Sequence, residues 1–256
     1  MNKLLIFIIP FLLINCCNET SIEDSGLNGK VKMLIEYNIS VESDSINNSI
    51  LDTLSTVKKY YNDLNQIIER NEEYLFVNET MDITYEYNHC NQIQKENVKM
   101  SLNRDTMVVN YIYENSLNKK SIAESIIDSL YFKQIWLNKY DINKEITEST
   151  MSQVFVDLKN NDTIKNSVQI DKYNKKGFVK ERLFEFFTNL EKNNRAEYFY
   201  KETELISIKK FDNNDSLISI TLYEYKYDHL ENWIEQKAFE VGKLKAIKTR
   251  SIVYII

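Results

Sequence analysis

The feature that most constrains this chain is a recurrence. Tyr61-Asn-Asp-Leu-Asn-Gln-Ile-Ile-Glu-Arg70 aligns without a gap on Tyr227-Asp-His-Leu-Glu-Asn-Trp-Ile-Glu-Gln236. Shorter copies begin at Tyr87, Tyr140 and Tyr173. In all five an Asn or Asp follows the tyrosine: Asn62, Asn88, Asp141, Asn174 and Asp228. In all five an apolar residue sits six places after it: Ile67, Ile93, Ile146, Val179 and Trp233. Weaker tyrosines extend the series to Tyr37, Tyr61, Tyr87, Tyr113, Tyr140, Tyr173, Tyr200, Tyr227 and Tyr254, spaced 24 to 33 residues apart.

A second turn signal falls midway through every interval. It is supplied in order by Asn47 and Asn48, Asn78, residues 103–105, Asp128 and Ser129, residues 160–162, Asn193 and Asn194, residues 213–215, and Gly242. Asn and Asp tolerate the left-handed backbone that turns need, so a chain with only four glycines can still turn often. Each unit of about 26 residues therefore predicts strand, turn, strand, turn, with strands of about nine residues near 30 Å long. Residues 216–227 show the alternation: Ile218, Ile220 and Leu222 point one way, and Ser219, Thr221, Tyr223, Tyr225 and Tyr227 the other. About eight degenerate hairpin units predict an all-β antiparallel meander of around sixteen strands. A sheet that long curls, closes or splits, so a large curled or barrel-like sheet is expected. Two stretches compete. Ile46, Ile50, Leu54, Val57, Tyr61, Leu64 and Ile68 have helical spacing within residues 43–70, and residues 121–132 are similarly ambiguous. The ungapped match of 61–70 to 227–236 argues for strands, with helix as the alternative.

The chain begins with Lys3 and a run from Leu4 to Ile14 that is apolar apart from its residue Pro10. That length suits the helical core of an export signal and falls short of the roughly 20 residues of a spanning helix. The run ends in Leu13-Ile14-Asn15-Cys16-Cys17, which resembles the lipobox of a bacterial lipoprotein signal. The resemblance implies a signal peptide over residues 1–15, an acylated (palmitate-type) Cys16 with Cys17 as the alternative, and attachment to a membrane through that lipid. A tether over 16–29 and one β-repeat domain over 30–256 would follow. Each buried methylene contributes about 0.8 kcal/mol, and a lasting anchor takes more than one chain. Elsewhere only Cys90 occurs, so no disulfide framework is written into the chain.

The tyrosine copies resemble the tyrosine–aspartate (YD) repeats of Rhs-type proteins, and more closely the small repeat-bearing lipoproteins of Bacteroidetes. That resemblance implies a cell-envelope protein, at the outer membrane. The enclosing shell of the large Rhs proteins is not carried over to a chain of 256 residues.

Charge and motifs narrow the function classes. The formal charge is −6 and becomes −7 once Lys3 leaves with the signal, the opposite of a nucleic-acid-binding surface. No phosphate-cradling glycine loop, nucleophile elbow, His-Glu-x-x-His or EF-hand loop is present. The two histidines, His89 and His229, occupy the same turn position of different units. They read as polar turn residues, so no metal or other cofactor is expected, and the chain reads as a non-catalytic one. A membrane-spanning barrel fits the strand lengths, but Glu235 and Lys237 fall on one face of the strand after Trp233, and Gln236 and Glu240 on the other. The candidate binding face is Tyr198, Tyr200, Tyr223, Tyr225 and Tyr227, whose i, i+2 spacing puts rings on a shared face. Exposed, such a row is a platform for sugars or a protein partner. Buried, it is a ladder that sets strand register. The reading is a non-catalytic interaction or structural module with an envelope protein partner. Its rival is a binder of a glycan or small amphiphile within the curled sheet.

Overall fold

The computed structural model describes residues 27–43, 49–101, 106–114, 117–127, 130–160, 162–187 and 193–255. The signal peptide, Cys16, Cys17 and most of the tether lie outside the described residues, as do several mid-unit turn signals.

The strands are β1 Val31–Ser43, β2 Ser49–Tyr61, β3 Ile67–Tyr74, β4 Glu79–Tyr87, β5 Ile93–Met100, β6 Thr106–Glu114, β7 Leu117–Ile127 and β8 Leu130–Tyr140. They continue as β9 Ile146–Asp157, β10 Asp162–Tyr173, β11 Val179–Phe186, β12 Asn194–Lys201, β13 Glu204–Phe211, β14 Leu217–Tyr227, β15 Trp233–Glu240 and β16 Lys243–Tyr254. Each pairs antiparallel with its sequence neighbours, and β1 also pairs with β16, so the meander closes into a barrel. Closure leaves no sheet edge to cap.

In both helically spaced stretches the described residues are strand, apart from the turn at 62–66. The first deceived because of a bulge. Asn38 pairs with Ser55 and Ile39 with Thr53, so Leu54 is the extra residue. A bulge breaks the period of two and leaves an i, i+3 step between Leu54 and Val57 that imitates a helix.

Six turns share one geometry, and it accounts for the recurring residues. In the copy at Tyr61, the Asn62 side-chain Oδ1 accepts from the Leu64 and Gln66 backbone N–H at 3.0 and 2.9 Å. The Asn65 N–H donates to the Asn62 carbonyl, and the Asn62 N–H to the Gln66 carbonyl, each at 2.9 Å. The same four bonds recur around Asn88, Asp141, Asn174, Asp212 and Asp228. So the Asx after the tyrosine is the cap, and the left-handed residue is a different one: Asn65, Asn91, Lys144, Gly177, Asp215 or Glu231. A bulge at each turn then sets Tyr61 opposite Ile67, Tyr87 opposite Ile93, Tyr140 opposite Ile146, Tyr173 opposite Val179 and Tyr227 opposite Trp233. That pairing is the physical content of the six-residue offset. The sixth copy, Phe211 opposite Leu217, has Phe for Tyr and lies at the other end of the barrel. The motif encodes a turn type rather than a position in the repeat.

Candidate functional site: the inner wall and the outer wall

Strand pairing fixes which side chains look inward. Lys59, Arg70, Ile83 and Val98 lie side by side across β2 to β5, and all four are buried. Carrying that parity round the barrel places most even-strand tyrosines inside: Tyr61, Tyr85, Tyr87, Tyr111, Tyr113, Tyr140, Tyr173, Tyr198, Tyr200, Tyr223, Tyr225, Tyr227 and Tyr254, while Tyr60 and Tyr131 face out. The exposed platform is thereby replaced by an inner ladder. Ile218, Ile220 and Leu222 take the opposite parity and are exposed on the outside.

Many of these phenols are struts. Tyr87 donates to the Ile67 carbonyl at 2.6 Å, Tyr113 to Ile93 at 2.7 Å, Tyr140 to Asn118 at 2.7 Å and Tyr225 to Leu205 at 2.9 Å. Each acceptor lies near the start of the preceding strand, beside a bulge, where the ladder leaves a carbonyl spare. Tyr254 closes the ring: it donates to Asp228 and accepts from Asn232 Nδ2 at 2.7 Å. Asn232 also clasps Asn28, whose N–H donates to its Oδ1 at 2.6 Å. Asn65 Nδ2 holds the Gly29 carbonyl at 3.1 Å. The chain therefore enters the barrel pinned beside the turns at residues 62–66 and 228–232.

The inner wall is of two kinds. From β3 to β8 it is a packed core of Met81, Ile83, Val98, Met100, Met107, Val109, Tyr111 and Ala123, with Phe132 and Trp136 against it. Within it, Glu96 is fully buried and accepts from the Tyr111 hydroxyl at 2.6 Å. Burial pushes its carboxyl up to about 7, against the lowering effects of that bond and of Arg70. From β12 to β16 the inward side chains are mostly half-buried: Tyr198, Tyr200, Tyr223, Tyr225, Trp233, Gln236 and Lys248, with the Arg250 side chain buried among them. Arg250 lies 3.3 Å over the Trp233 ring, and Tyr225 meets Trp233 edge-on at 6.1 Å. The Tyr225 hydroxyl also accepts from Gln236 Nε2 at 2.7 Å. Arg250 and Lys248 hold the buried Glu36 at 2.9 and 3.2 Å. Burial alone would raise the Glu36 carboxyl; the charges of Lys248, Arg250 and Lys59 outweigh it and hold it at about 2.

The outer wall carries ion pairs across neighbouring strands: Lys95 to Glu86 at 3.3 Å, Lys133 to Glu124 at 2.7 Å, Lys139 to Glu148 at 2.6 Å, Lys172 to Glu181 at 2.8 Å and Lys226 to Glu235 at 2.8 Å. Glu235 and Lys237 face out while Gln236 and Glu240 face in, as the alternation in the sequence implied. The outer face of β3 to β5 is polar throughout, from Glu69, Asn71 and Glu73 to Lys95, Asn97 and Lys99. Exposed apolar side chains stand on the outer face of β6 to β8, at Ile112, Ile126 and Leu137, and of β12 and β14, at Phe199, Ile218, Ile220 and Leu222.

His89 and His229 sit exposed in equivalent turns of β4–β5 and β14–β15, His229 edge-on to Tyr254 at 6.1 Å. The residues that sequence reasoning missed are Glu36, Lys248, Arg250 and Glu96. Glu36 and Arg250 are 214 positions apart, so only barrel closure brings them together. Gln236 alone had a local signal, as the last residue of the longest repeat copy.

No protein-family model and no curated protein matches the chain. Among solved structures, the fold is similar to the crystal structure of a porin-like protein from Bacteroides uniformis. The identity is 9%, 89% of this chain and 98% of that one are covered, and the TM-score is 0.53. A toxin-complex structure, TcdB2-TccC3-Cdc42, aligns at 10% identity over 79% of this chain and 15% of that one, with a TM-score of 0.20. The first likeness is one of fold; the second is too distant to argue from.

Proposed function

We propose that this is a non-catalytic cell-envelope protein, held at the outer membrane by a lipid on Cys16, whose barrel acts as a rigid interaction or structural module. The observation that carries the reading is the outer wall. A spanning barrel presents an apolar band about 25 Å tall on all sides. Here the outer face of β3 to β5 is polar along its length and the Lys133–Glu124 pair lies mid-strand across β7 and β8, so no apolar band runs unbroken round the barrel, and attachment falls to the N-terminal segment. The apolar cluster of Phe199, Ile218, Ile220 and Leu222 is then the surface offered to a protein partner. The fold likeness to a porin-like protein of Bacteroides uniformis supports an envelope setting, and no pore is inferred from it. A second reading, a ligand held inside the barrel, is supported by the half-buried aromatic wall of β12 to β16.

Native mass spectrometry of the protein, gently extracted from its own membrane, tests the proposal. The expected species begins at an acylated Cys16 and carries a stoichiometric protein partner that is lost in Ile220→Asp. An unacylated chain would remove the anchor, and an acylated chain whose Ile220→Asp variant keeps its partner would remove the assigned surface.

A further inference from the structure

The inner ladder contains three phenols that differ from the struts. The hydroxyls of Tyr198, Tyr200 and Tyr223 make no hydrogen bond among the described residues, although all three face inward. Tyr223 is inward because it pairs with Ala238, next to the Thr221–Glu240 and Tyr225–Gln236 pairs. Tyr198 pairs with Ile208, which pairs with Thr221. Burial pushes the Tyr223 phenol up to about 12, so it is a neutral donor and acceptor at any ordinary pH.

Around these rings the neighbouring strands offer polar groups, with the apolar Ile208 of β13 between Tyr198 and Thr221 and Ala238 of β15 opposite Tyr223. β14 adds Ser219 and Thr221, β15 adds Gln236 and Glu240, and β16 adds Lys248. No inward Leu, Ile, Val or Met lies on β14 or β15. A hydrocarbon tail would meet a hydrogen-bonding group at each inward step of β14 and β15 except Ala238, at a desolvation cost for each. A sugar suits the wall on both counts. Its C–H faces pack on aromatic rings, and its hydroxyls pair with phenols, amides and hydroxyls. Water reaches this wall already, since its side chains are half-buried rather than sealed. Sixteen strands enclose more interior than side chains fill.

We infer that the inward face of β12, β14 and β15 is a saccharide-binding wall, with Tyr198, Tyr200 and Tyr223 as its ring-and-hydroxyl contacts. This rests on the second reading above, that the barrel interior takes a ligand.

Isothermal titration calorimetry on the mature chain tests it with four probes: maltohexaose, cellohexaose, chitohexaose and monomeric dodecylphosphocholine. At least one oligosaccharide should bind saturably. Tyr223→Phe, which keeps the ring and the fold, should weaken that binding at least fivefold, and Tyr223→Ala at least twentyfold. Tyr87→Phe, which removes a strut hydroxyl on the far wall, should leave it unchanged. Oligosaccharide binding that is equal in the parent and both Tyr223 variants would overturn the assignment of the wall. If only the detergent binds, and Tyr223→Ala abolishes it, the saccharide is wrong while the interior-ligand reading stands. If no probe binds, both fall.

Discussion

Strands β4 and β15 have similar lengths and the same pairing, yet they behave as if in different proteins. Along the first six residues of β4, burial and exposure alternate, with Glu79, Met81 and Ile83 buried and Thr80, Asp82 and Thr84 exposed. Along β15 all eight residues are half-buried. A strand alternates in burial only when its two faces meet different media. β4 separates a dry core from water. β15 has partial solvent access on both faces. The barrel is thus filled against one arc of its wall and open to solvent against the other. The outer face does not repeat this division: β3 to β5 are polar there, but Ile112, Ile126 and Leu137 on β6 to β8 are exposed, as Ile218, Ile220 and Leu222 are on β14.

The largest expected effect lies at the seam between the arcs. Glu36→Ala leaves Lys248, Arg250 and Lys59 facing one another, and breaking a buried ion pair from one side costs about 4 kcal/mol. Urea unfolding at pH 7 measures it. The Glu36 carboxyl is depressed in the folded state, so its contribution is complete above pH 4.5 and is lost as pH falls towards about 2. In Glu36→Ala that part of the acid sensitivity should disappear.

Truncation should separate the two arcs next. Met107 is 1% exposed in the packed arc. Met107→Ala should destabilise by about 3–4 kcal/mol. Tyr223→Ala, in the open arc, should cost less than about 1.5 kcal/mol, because its side chain is only half-buried. Equal losses in the two denaturation curves would mean that the interior is uniformly packed.

Glu96 offers a pH test confined to the packed arc. Its folded-state carboxyl is raised to about 7, so the folded chain holds a proton that the unfolded chain releases above pH 4.5. Stability should therefore fall as pH rises from 4.5 to about 7 and level off beyond it. The penalty is on the order of 3 kcal/mol by the one-unit conversion. Glu96→Gln should flatten that limb, read as the urea midpoint against pH.

The smallest effect lies in the turn between β15 and β16. Val241 and Gly242 both have positive φ, at 50° and 71°. A two-residue hairpin with that geometry prefers Asn-Gly, and a β-branched residue is strained there. Val241→Asn should stabilise by about 1 kcal/mol in a thermal melt.

How much of this was legible in the chain follows from the range of each interaction. The turns were legible because an Asx cap needs only a carboxylate or amide oxygen and two N–H groups within four residues. The inward and outward parity of β14 was legible for the same reason: alternation is a property of one strand. The bulge at Leu54 blurred its own stretch, since one extra residue turns a period of two into a passing imitation of a helix.

The sequence by itself determined the all-β class, the turn chemistry and the side of the strand on which the tyrosines stand. Only the tertiary structure decided that this side is the inside. Curvature has no sign in a one-dimensional pattern, and a row of rings facing in or out has the same spacing. Closure also brought Glu36 to Arg250, across the first and last strands, and Asn28, ahead of β1, to Asn232 in the β14–β15 turn, contacts that no local signal can announce. The split into a packed arc and an open one was likewise a tertiary decision. Whether an inward methionine or an inward tyrosine is sealed depends on what fills the space beside it, and its neighbours there come from other strands.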